Sequence, residues 1–163
     1  MSQFNTLKNK VFSLENLKVQ VENWKATGEK VVFTNGCFDI IHQGHIEVLA
    51  RTADLGTKLI VGLNSDSSIQ KLKNENRPII QQQSRAILLA SFSFVDAVVL
   101  FSEDTPINLI STLKPDILAK GGDYEISTIV GHKVVQENGG QVILVPFVEG
   151  FSSTAIIDKI KKS

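Results

Sequence analysis

Residues 31–50 have the sequence VVFTNGCFDIIHQGHIEVLA, and this stretch decides the fold. It begins with an apolar run at 31–34, which predicts a buried strand. His42, Gly44 and His45 follow, and the apolar residues then recur with helical spacing. A helix that begins there would present unpaired N–H groups and a partial positive charge beside two histidines on one face. The stretch therefore predicts a strand-to-helix turn that binds an anion.

On either side of this turn, short apolar runs alternate with amphipathic segments. The runs are rich in Val, Ile and Leu with little polar alternation, which is typical of strands covered on both faces. We predict five strands, at residues 31–34, 59–63, 97–101, 117–119 and 141–145. We predict helices at residues 44–55, 82–92, 106–113, 126–137 and 152–161. The alternation favours a single α/β domain, an open parallel five-stranded sheet with helices on both faces, which binds ligands beyond the carboxyl ends of its strands.

The N-terminal segment carries a further helix. Ser13 is a suitable cap for a helix that runs to about residue 27 and ends at Gly28. Its apolar residues share one face, namely Leu14, Leu17, Val21 and Trp24. We therefore divide the chain into an N-terminal segment, 1–28, and a main domain, 29–163, and consider the apolar face a candidate interface for a homodimer. Residues 71–83 are polar and basic around Arg77, so a mobile flap is a further prediction.

Composition excludes several classes of protein. The 163 residues include 17 basic and 17 acidic side chains, so nothing indicates the basic surface of a nucleic-acid-binding protein. Neither a signal peptide nor an apolar run of about 18 residues occurs, which argues against a membrane partner. Cys37 is the single cysteine, so an intrachain disulfide cannot form. We expect a soluble cytoplasmic protein.

Two ligand chemistries remain for the histidine pair. A phosphate would suit the helix N-terminus, and zinc would suit two imidazoles. The sequence offers no third zinc ligand at a familiar spacing. Phosphate is therefore the favoured ligand, and we predict no metal site formed by the chain itself.

The pattern Gly36-x-Phe38-Asp39-x-x-His42-x-Gly44-His45 resembles the signature of the cytidylyltransferase-like nucleotidyltransferases. Within that superfamily nearly the whole chain resembles the heptose-phosphate adenylyltransferases of lipopolysaccharide-precursor synthesis, an activity that also occurs fused to a sugar kinase. The resemblance lies in residues 34–39, 64–66, 72–73, 77–78, 103–106, 120–124 and 149–154. The Lys-Gly-Gly-Asp-Tyr block at 120–124 points to the heptose branch.

The resemblance implies a reaction between ATP and D-glycero-D-manno-heptose 1-phosphate that gives ADP-heptose and pyrophosphate, with Mg²⁺ bridging the triphosphate. The acceptor phosphate is already ionised at neutral pH, so the enzyme needs to position and neutralise anions rather than supply a strong base. Three residues would carry catalysis, namely His42, His45 and Lys73.

The resemblance also implies two binding sets. Nucleotide-binding residues would be Thr34, Asn35, Gly36, Phe38, Gly44, Arg85, Lys120, Gly122, Asp123, Ser152, Ser153 and Thr154. Substrate-binding residues would be Asp39, Asn64, Asp66, Lys71 and Arg77. Ordinary structural roles stay open for many of these: a solvated loop for the lysines, a surface arginine for Arg85, a tight turn at 121–123, and a helix cap for Ser152.

Three other functions remain. The glycerol-phosphate cytidylyltransferases share the histidine motif, but they typically have an arginine where this chain has Phe147 and an acidic residue where it has Gly122. A non-catalytic nucleotide-binding regulator could use the same fold. A structural metal-binding protein could use the histidines alone.

Overall fold

A computed structural model describes residues 2–163 of the chain. The strands form one six-stranded, wholly parallel sheet in the order β1-β4-β3-β2-β5-β6. Their bounds are β1 Val11–Phe12, β2 Val31–Gly36, β3 Lys58–Asn64, β4 Ala97–Phe101, β5 Ile117–Gly121 and β6 Gln141–Val145. The predicted open parallel α/β sheet is thereby confirmed. The predicted count of five strands is wrong by one, because β1 has two residues and is too short to show a pattern.

Helices cover both faces of the sheet. Their bounds are α1 Gln3–Lys8, α2 Leu14–Ala26, α3 Gln43–Ala53, α4 Asp66–Leu72, α5 Gln82–Ala90, α6 Ile107–Leu113, α7 His132–Glu137 and α8 Ser153–Lys161. One face buries α2 and α6 against Phe33 and Ile60. The other face buries α3 and α5 against Val61 and Leu63. Strands covered on both faces must be apolar throughout, which explains the continuous apolar runs in the sequence.

Two predicted segments differ from the structure. Helix α4 was not predicted, and its last two residues lie in the segment 71–83 that we expected to be a flap. The helix predicted over 126–137 is divided into a short 3₁₀ turn, Ile126–Thr128, and α7. Gly131 interrupts it with φ of +87°, and a Cβ atom there would lie 2.6 Å from Ile110. The close packing of α6 therefore requires glycine in a conformation that breaks the helix.

The N-terminal segment packs on the same core as the rest of the chain. Ser13 caps α2 as predicted, since its hydroxyl accepts a hydrogen bond from the Asn16 N–H. Leu17 and Val21 are 0 % and 2 % exposed in the core that also contains Phe33. The apolar face that we considered for a homodimer is therefore covered within the chain.

The sheet opens a crevice between β2 and β5. From β2 the chain continues to β3 and β4 on one side, and it reaches β5 and β6 on the other, so strand order reverses there. The two strands pair only at Val32 with Ile117 and at Phe33 with Leu118, although β2 continues to Gly36 and β5 to Gly121. Their carboxyl ends consequently leave the space in which open α/β sheets bind ligands. None of the helices in residues 2–163 is both long and apolar enough to cross a membrane.

Candidate active site

A cleft of about 660 Å³ lies at the carboxyl ends of β2 and β5. Four segments form its walls: the turn from β2 into α3, the end of α4, the end of β5, and the loop from β6 into α8. The predicted site residues that it brings together are Thr34, Asn35, Gly36, Phe38, Asp39, His42, Gly44, His45, Lys73, Lys120, Ser152, Ser153 and Thr154. The strand-to-helix turn predicted from residues 31–50 therefore lies at the centre of this concave site.

The two histidines stack on each other at the start of α3. Their ring centroids are 3.7 Å apart and their planes differ by 17°. His42 is the N-cap of α3, and its Nδ1 accepts a hydrogen bond from the His45 N–H at 3.3 Å. Because Nδ1 is an acceptor, neutral His42 carries its hydrogen on Nε2. The capping interaction thus selects the tautomer that leaves Nε2–H as a donor for a ligand.

Both histidines are neutral at physiological pH. Burial lowers the pKa of His45 to about 4, and the charges of His42 and Lys73 act in the same direction, while the Ile40 carbonyl opposes them. Burial also lowers the pKa of His42. The Nδ1 atom of His45 is buried without a hydrogen-bond partner among residues 2–163. The pair can therefore act as hydrogen-bonding groups for an anion, but the positive charge must come from other side chains.

Gly44 permits the close packing around this pair. A Cβ atom at Gly44 would lie 2.9 Å from the Cβ of Phe151 and 3.1 Å from Nδ1 of His42. The Phe151 ring stacks on His42 with centroids 6.0 Å apart. Ser153 Oγ also donates to the Ile40 carbonyl at 3.0 Å. The loop from β6 into α8 is thereby held directly against the histidine turn, with no space for a side chain between them.

Two lysines supply positive charge to the cleft. Lys73 is the C-cap of α4, and Lys120 lies near the end of β5. Burial lowers the pKa of Lys120, and its Nζ lies 6.0 Å from the centroid of the Tyr124 ring. Within the described residues neither lysine forms an ion pair. Their charges therefore remain available to neutralise phosphate oxygens.

Asp39 connects the histidine turn to the loop that follows α4. Its carboxylate accepts hydrogen bonds from Arg77 Nε at 2.7 Å and from the Ile79 and Ile80 N–H groups at 2.9 Å. Burial alone would raise the pKa of Asp39, but the N–H groups of Ile80 and Ile79 and the Arg77 guanidinium together lower it. Asp39 and Arg77 consequently fasten the loop after α4 to the histidine turn. Asp39 lines the cleft and Arg77 lines neither cavity, and the two pair with each other, so their substrate-binding roles remain predictions.

Arg85, which we predicted to reach the triphosphate, is instead engaged within the protein. Arg85 is 0 % exposed and lines neither the cleft nor the cavity that adjoins it. Its guanidinium donates to the carbonyls of Ile80, Cys37 and Asn64 at 2.7–2.8 Å and to the Asp66 carboxylate at 2.6 Å. Arg85 therefore holds together the turns that follow β2 and β3. The Oδ1 atom of Asp66 is engaged by this contact.

Three further predicted residues lie outside the cleft. Gly122 has φ of +118°, and a Cβ atom there would lie 2.6 Å from the Phe147 ring and 2.9 Å from the Tyr124 ring. Glycine at this position therefore makes room for two aromatic side chains. Asp123 and Lys71 are exposed and line neither cavity. Sequence reasoning in turn missed the cleft residues Val48, Tyr124, Phe147, Glu149 and Phe151. For Tyr124, Phe147 and Phe151 the available signal was an aromatic side chain in a loop that follows a strand.

A second cavity of about 370 Å³ adjoins the cleft. The two cavities share Asn35, Gly36, Cys37, Lys120 and Tyr124. The rest of its lining is Asn64, Leu72, Phe101, Asp104, Thr105, Pro106, Thr128, Ile129 and Val130. Among the predicted substrate-binding residues, only Asn64 lines it.

Comparisons with known proteins agree with this geometry. The family model described as cytidylyltransferase-like matches residues 33–159, from β2 to α8. The bifunctional protein HldE of Geobacter sulfurreducens is 51 % identical over 154 residues, which cover 94 % of this chain and 31 % of that protein. HldE of Magnetococcus marinus is 49 % identical over 152 residues, covering 93 % and 31 %. The chain therefore spans about a third of the length of these curated relatives.

A solved structure resembles most of the fold. The lipopolysaccharide core biosynthesis protein from Thermoplasma volcanium GSS1 superposes with a TM-score of 0.61 at 28 % identity, covering 74 % of this chain and 98 % of that one. The family match spans the histidine turn, both cleft lysines and the start of α8. The chain therefore belongs to the cytidylyltransferase-like family of nucleotidyltransferases.

Proposed function

We propose that this protein transfers AMP from ATP to D-glycero-D-manno-heptose 1-phosphate, giving ADP-heptose and pyrophosphate. The observation that carries the proposal is the neutral, stacked His42 and His45 pair at the N-terminus of α3, in one cleft with Lys73 and Lys120. The helix N-terminus, the hydrogen-bonding imidazoles and the unpaired ammonium groups are together suited to bind a triphosphate.

The proposed chemistry is one in-line displacement. An oxygen of the acceptor phosphate attacks the α-phosphorus, the bond from that phosphorus to the bridging oxygen of the β-phosphate breaks, and pyrophosphate leaves with the electron pair. The acceptor phosphate is ionised, so no proton needs to be removed. His42 Nε2–H would donate to a phosphate oxygen, and the two lysines would neutralise charge that develops around phosphorus. The chain therefore acts through position and electrostatics.

Magnesium fits this cleft as an ion carried mainly by the nucleotide. Within residues 2–163 there is no cluster of three or more His, Cys, Asp or Glu residues that could hold a metal ion. The carboxylates that line the cleft are Asp39, which is engaged by Arg77 and two N–H groups, and Glu149. Mg²⁺ usually keeps few protein ligands when it bridges phosphates, and it would supply additional neutralising charge.

A contact between residues 122 and 147 supports the heptose branch over the glycerol-phosphate branch. Phe147 and Gly122 are the two positions at which the sequence departs from the glycerol-phosphate cytidylyltransferases, and a side chain at Gly122 would collide with the Phe147 ring. The two departures therefore depend on each other in the packing. The structural likeness to the lipopolysaccharide core biosynthesis protein of Thermoplasma volcanium adds support. A cytoplasmic location and a homodimer remain predictions.

The test is pyrophosphate release with ATP or CTP, Mg²⁺, and either heptose 1-phosphate or glycerol 3-phosphate. We expect turnover with ATP and heptose 1-phosphate. Turnover confined to CTP and glycerol 3-phosphate would overturn the branch, and the absence of turnover with any pair would overturn the enzymatic function.

Variants locate the activity in the cleft. His42→Ala and His45→Ala should each lower kcat by about 10²–10³, the effect of losing a hydrogen-bond donor aimed at transition-state charge. Lys73→Ala should also lower kcat/KM. His132→Ala is the matched control, because His132 lies outside the cleft with Nδ1 beside the Ile129 carbonyl. Normal turnover in both histidine variants would remove the pair from the mechanism.

A further inference from the structure

The second cavity meets the histidine cleft along a shared wall. Asn35, Gly36 and Cys37, at the end of β2, and Lys120 and Tyr124, after β5, belong to both. A transfer between two substrates requires the reacting atoms to approach within about 3–3.5 Å. Two substrate chambers must therefore adjoin, and the reaction must take place where they meet. Lys120 is the cation at that boundary.

The lining of the second cavity differs from that of the cleft. It contains neither histidine, and its polar groups beyond the shared wall are Asn64, Asp104, Thr105 and Thr128. Asn64 is 4 % exposed, and its Nδ2 donates to Ser68 Oγ at 2.9 Å. No group among residues 2–163 donates to the Asn64 Oδ1, and Asp104 forms no ion pair there. The cavity consequently offers hydrogen-bond acceptors and one carboxylate.

Such a lining suits hydroxyl groups rather than a polyphosphate. A carboxylate repels a triphosphate but accepts strong hydrogen bonds from sugar hydroxyls. The apolar part of the wall, which includes Phe101 and Ile129, can pack against carbon-bound hydrogens, as in most small-ligand sites. The smaller volume, about 370 Å³ against about 660 Å³, also matches the smaller of two substrates.

We infer that the second cavity binds the polyhydroxyl part of a sugar-phosphate acceptor, with Asp104 and Thr105 selecting for its hydroxyl groups. The acceptor phosphate then lies at the shared wall beside Lys120, facing the α-phosphate held in the cleft. This inference rests on the proposed function. It assigns the acceptor to the loop after β4, a segment outside the substrate-binding set derived from the sequence.

The experiment measures binding and turnover in Asp104→Ala and Thr105→Val. Calorimetric titration uses D-glycero-D-manno-heptose 1-phosphate in the presence of Mg²⁺ and a non-hydrolysable α,β-methylene ATP analogue. We expect Asp104→Ala to raise the Kd and the KM for heptose 1-phosphate about tenfold, the loss of one charge-assisted hydrogen bond, while the KM for ATP changes less than about twofold. Thr105→Val should act in the same direction with a smaller effect.

Glu125→Ala is the control, because Glu125 is an exposed carboxylate that lines neither cavity. Wild-type affinity for heptose 1-phosphate in both Asp104→Ala and Thr105→Val would overturn the inference while leaving the proposed function in place. A parallel loss of ATP affinity would also overturn it, since the second cavity would then serve the nucleotide. Binding that depends on Asp104 without pyrophosphate release would support the chamber and refute the proposed reaction. Failure of the wild-type protein to bind sugar phosphate would refute both.

Discussion

The burial of His45 predicts a loss of stability in mild acid. Its ring stacks on His42, with centroids 3.7 Å apart, and meets the Phe38 ring edge to face, with centroids 5.5 Å apart. Burial, together with the charges of His42 and Lys73, lowers the pKa of His45 from 6.5 to about 4. Between these two values the unfolded chain binds a proton at this position and the folded chain does not. Stability therefore falls as the pH falls from 6.5 towards 4.

The size of the effect follows from the difference between the two pKa values. The difference between 6.5 and about 4 is close to 2.5 pH units. At about 1.4 kcal/mol per unit, protonation of His45 would cost up to about 3 kcal/mol, and solvent that reaches the ring from the cleft reduces this figure. His42, whose pKa burial also lowers, contributes with the same sign. A loss of this size is a large part of the stability of an ordinary domain.

Urea unfolding of the wild-type protein and of His45→Gln between pH 7.5 and pH 4 measures the effect. We expect the free energy of unfolding to fall more steeply for the wild-type protein, and His132→Gln to behave as the wild type. Asp39 does not confuse the comparison. The pKa of Asp39 is lowered from 3.8, so the stability that its ionised carboxylate contributes is lost only below the pH range of this experiment. Parallel pH profiles for the wild type and His45→Gln would refute the assignment of a buried neutral imidazole.

Three further substitutions test the supporting contacts. Arg85→Met should lower the free energy of unfolding, measured by urea titration, by about 3–5 kcal/mol. The substitution leaves the Asp66 carboxylate and three carbonyls without their donor. A loss below about 1 kcal/mol would contradict this role of Arg85. Asp39→Ala should accelerate amide hydrogen exchange at Ile79 and Ile80, which it anchors, and unchanged exchange would show that the loop is held by other contacts. Gly44→Ala should lower kcat at least about tenfold, because the added methyl group displaces His42. The free energy of unfolding should change by about 1 kcal/mol or less, because the helix preference of alanine offsets the close contacts. Wild-type turnover in this variant would contradict the close packing.

Features that depend on neighbouring residues were predictable from the sequence. The alternation of apolar runs and amphipathic segments identified the α/β class, and five of the six strands were located correctly. Ser13 and Ser152 were recognised as helix caps, and both hydroxyls accept hydrogen bonds from N–H groups three residues ahead. The histidine turn was found because its chemistry lies within four consecutive residues, His42 to His45. Local geometry sets the relative positions of such groups, so spacing alone carries the information.

Roles that depend on distant residues were not predictable. Arg85 contacts the Cys37 carbonyl, and Asp39 contacts the N–H of Ile80, across 48 and 41 positions of sequence. A charged side chain beside a phosphate-binding motif suggests a ligand contact, and only the folded chain shows that a protein partner already satisfies its charge.

Gly122 illustrates the same limit, because the reason for a glycine there is the Phe147 ring, which another loop supplies. The sequence by itself determined the class of fold, the position of the anion-binding turn and the family resemblance. The tertiary structure alone decided which polar groups satisfy one another and which face the two cavities, because that depends on how the β2–β5 crevice brings separate loops together.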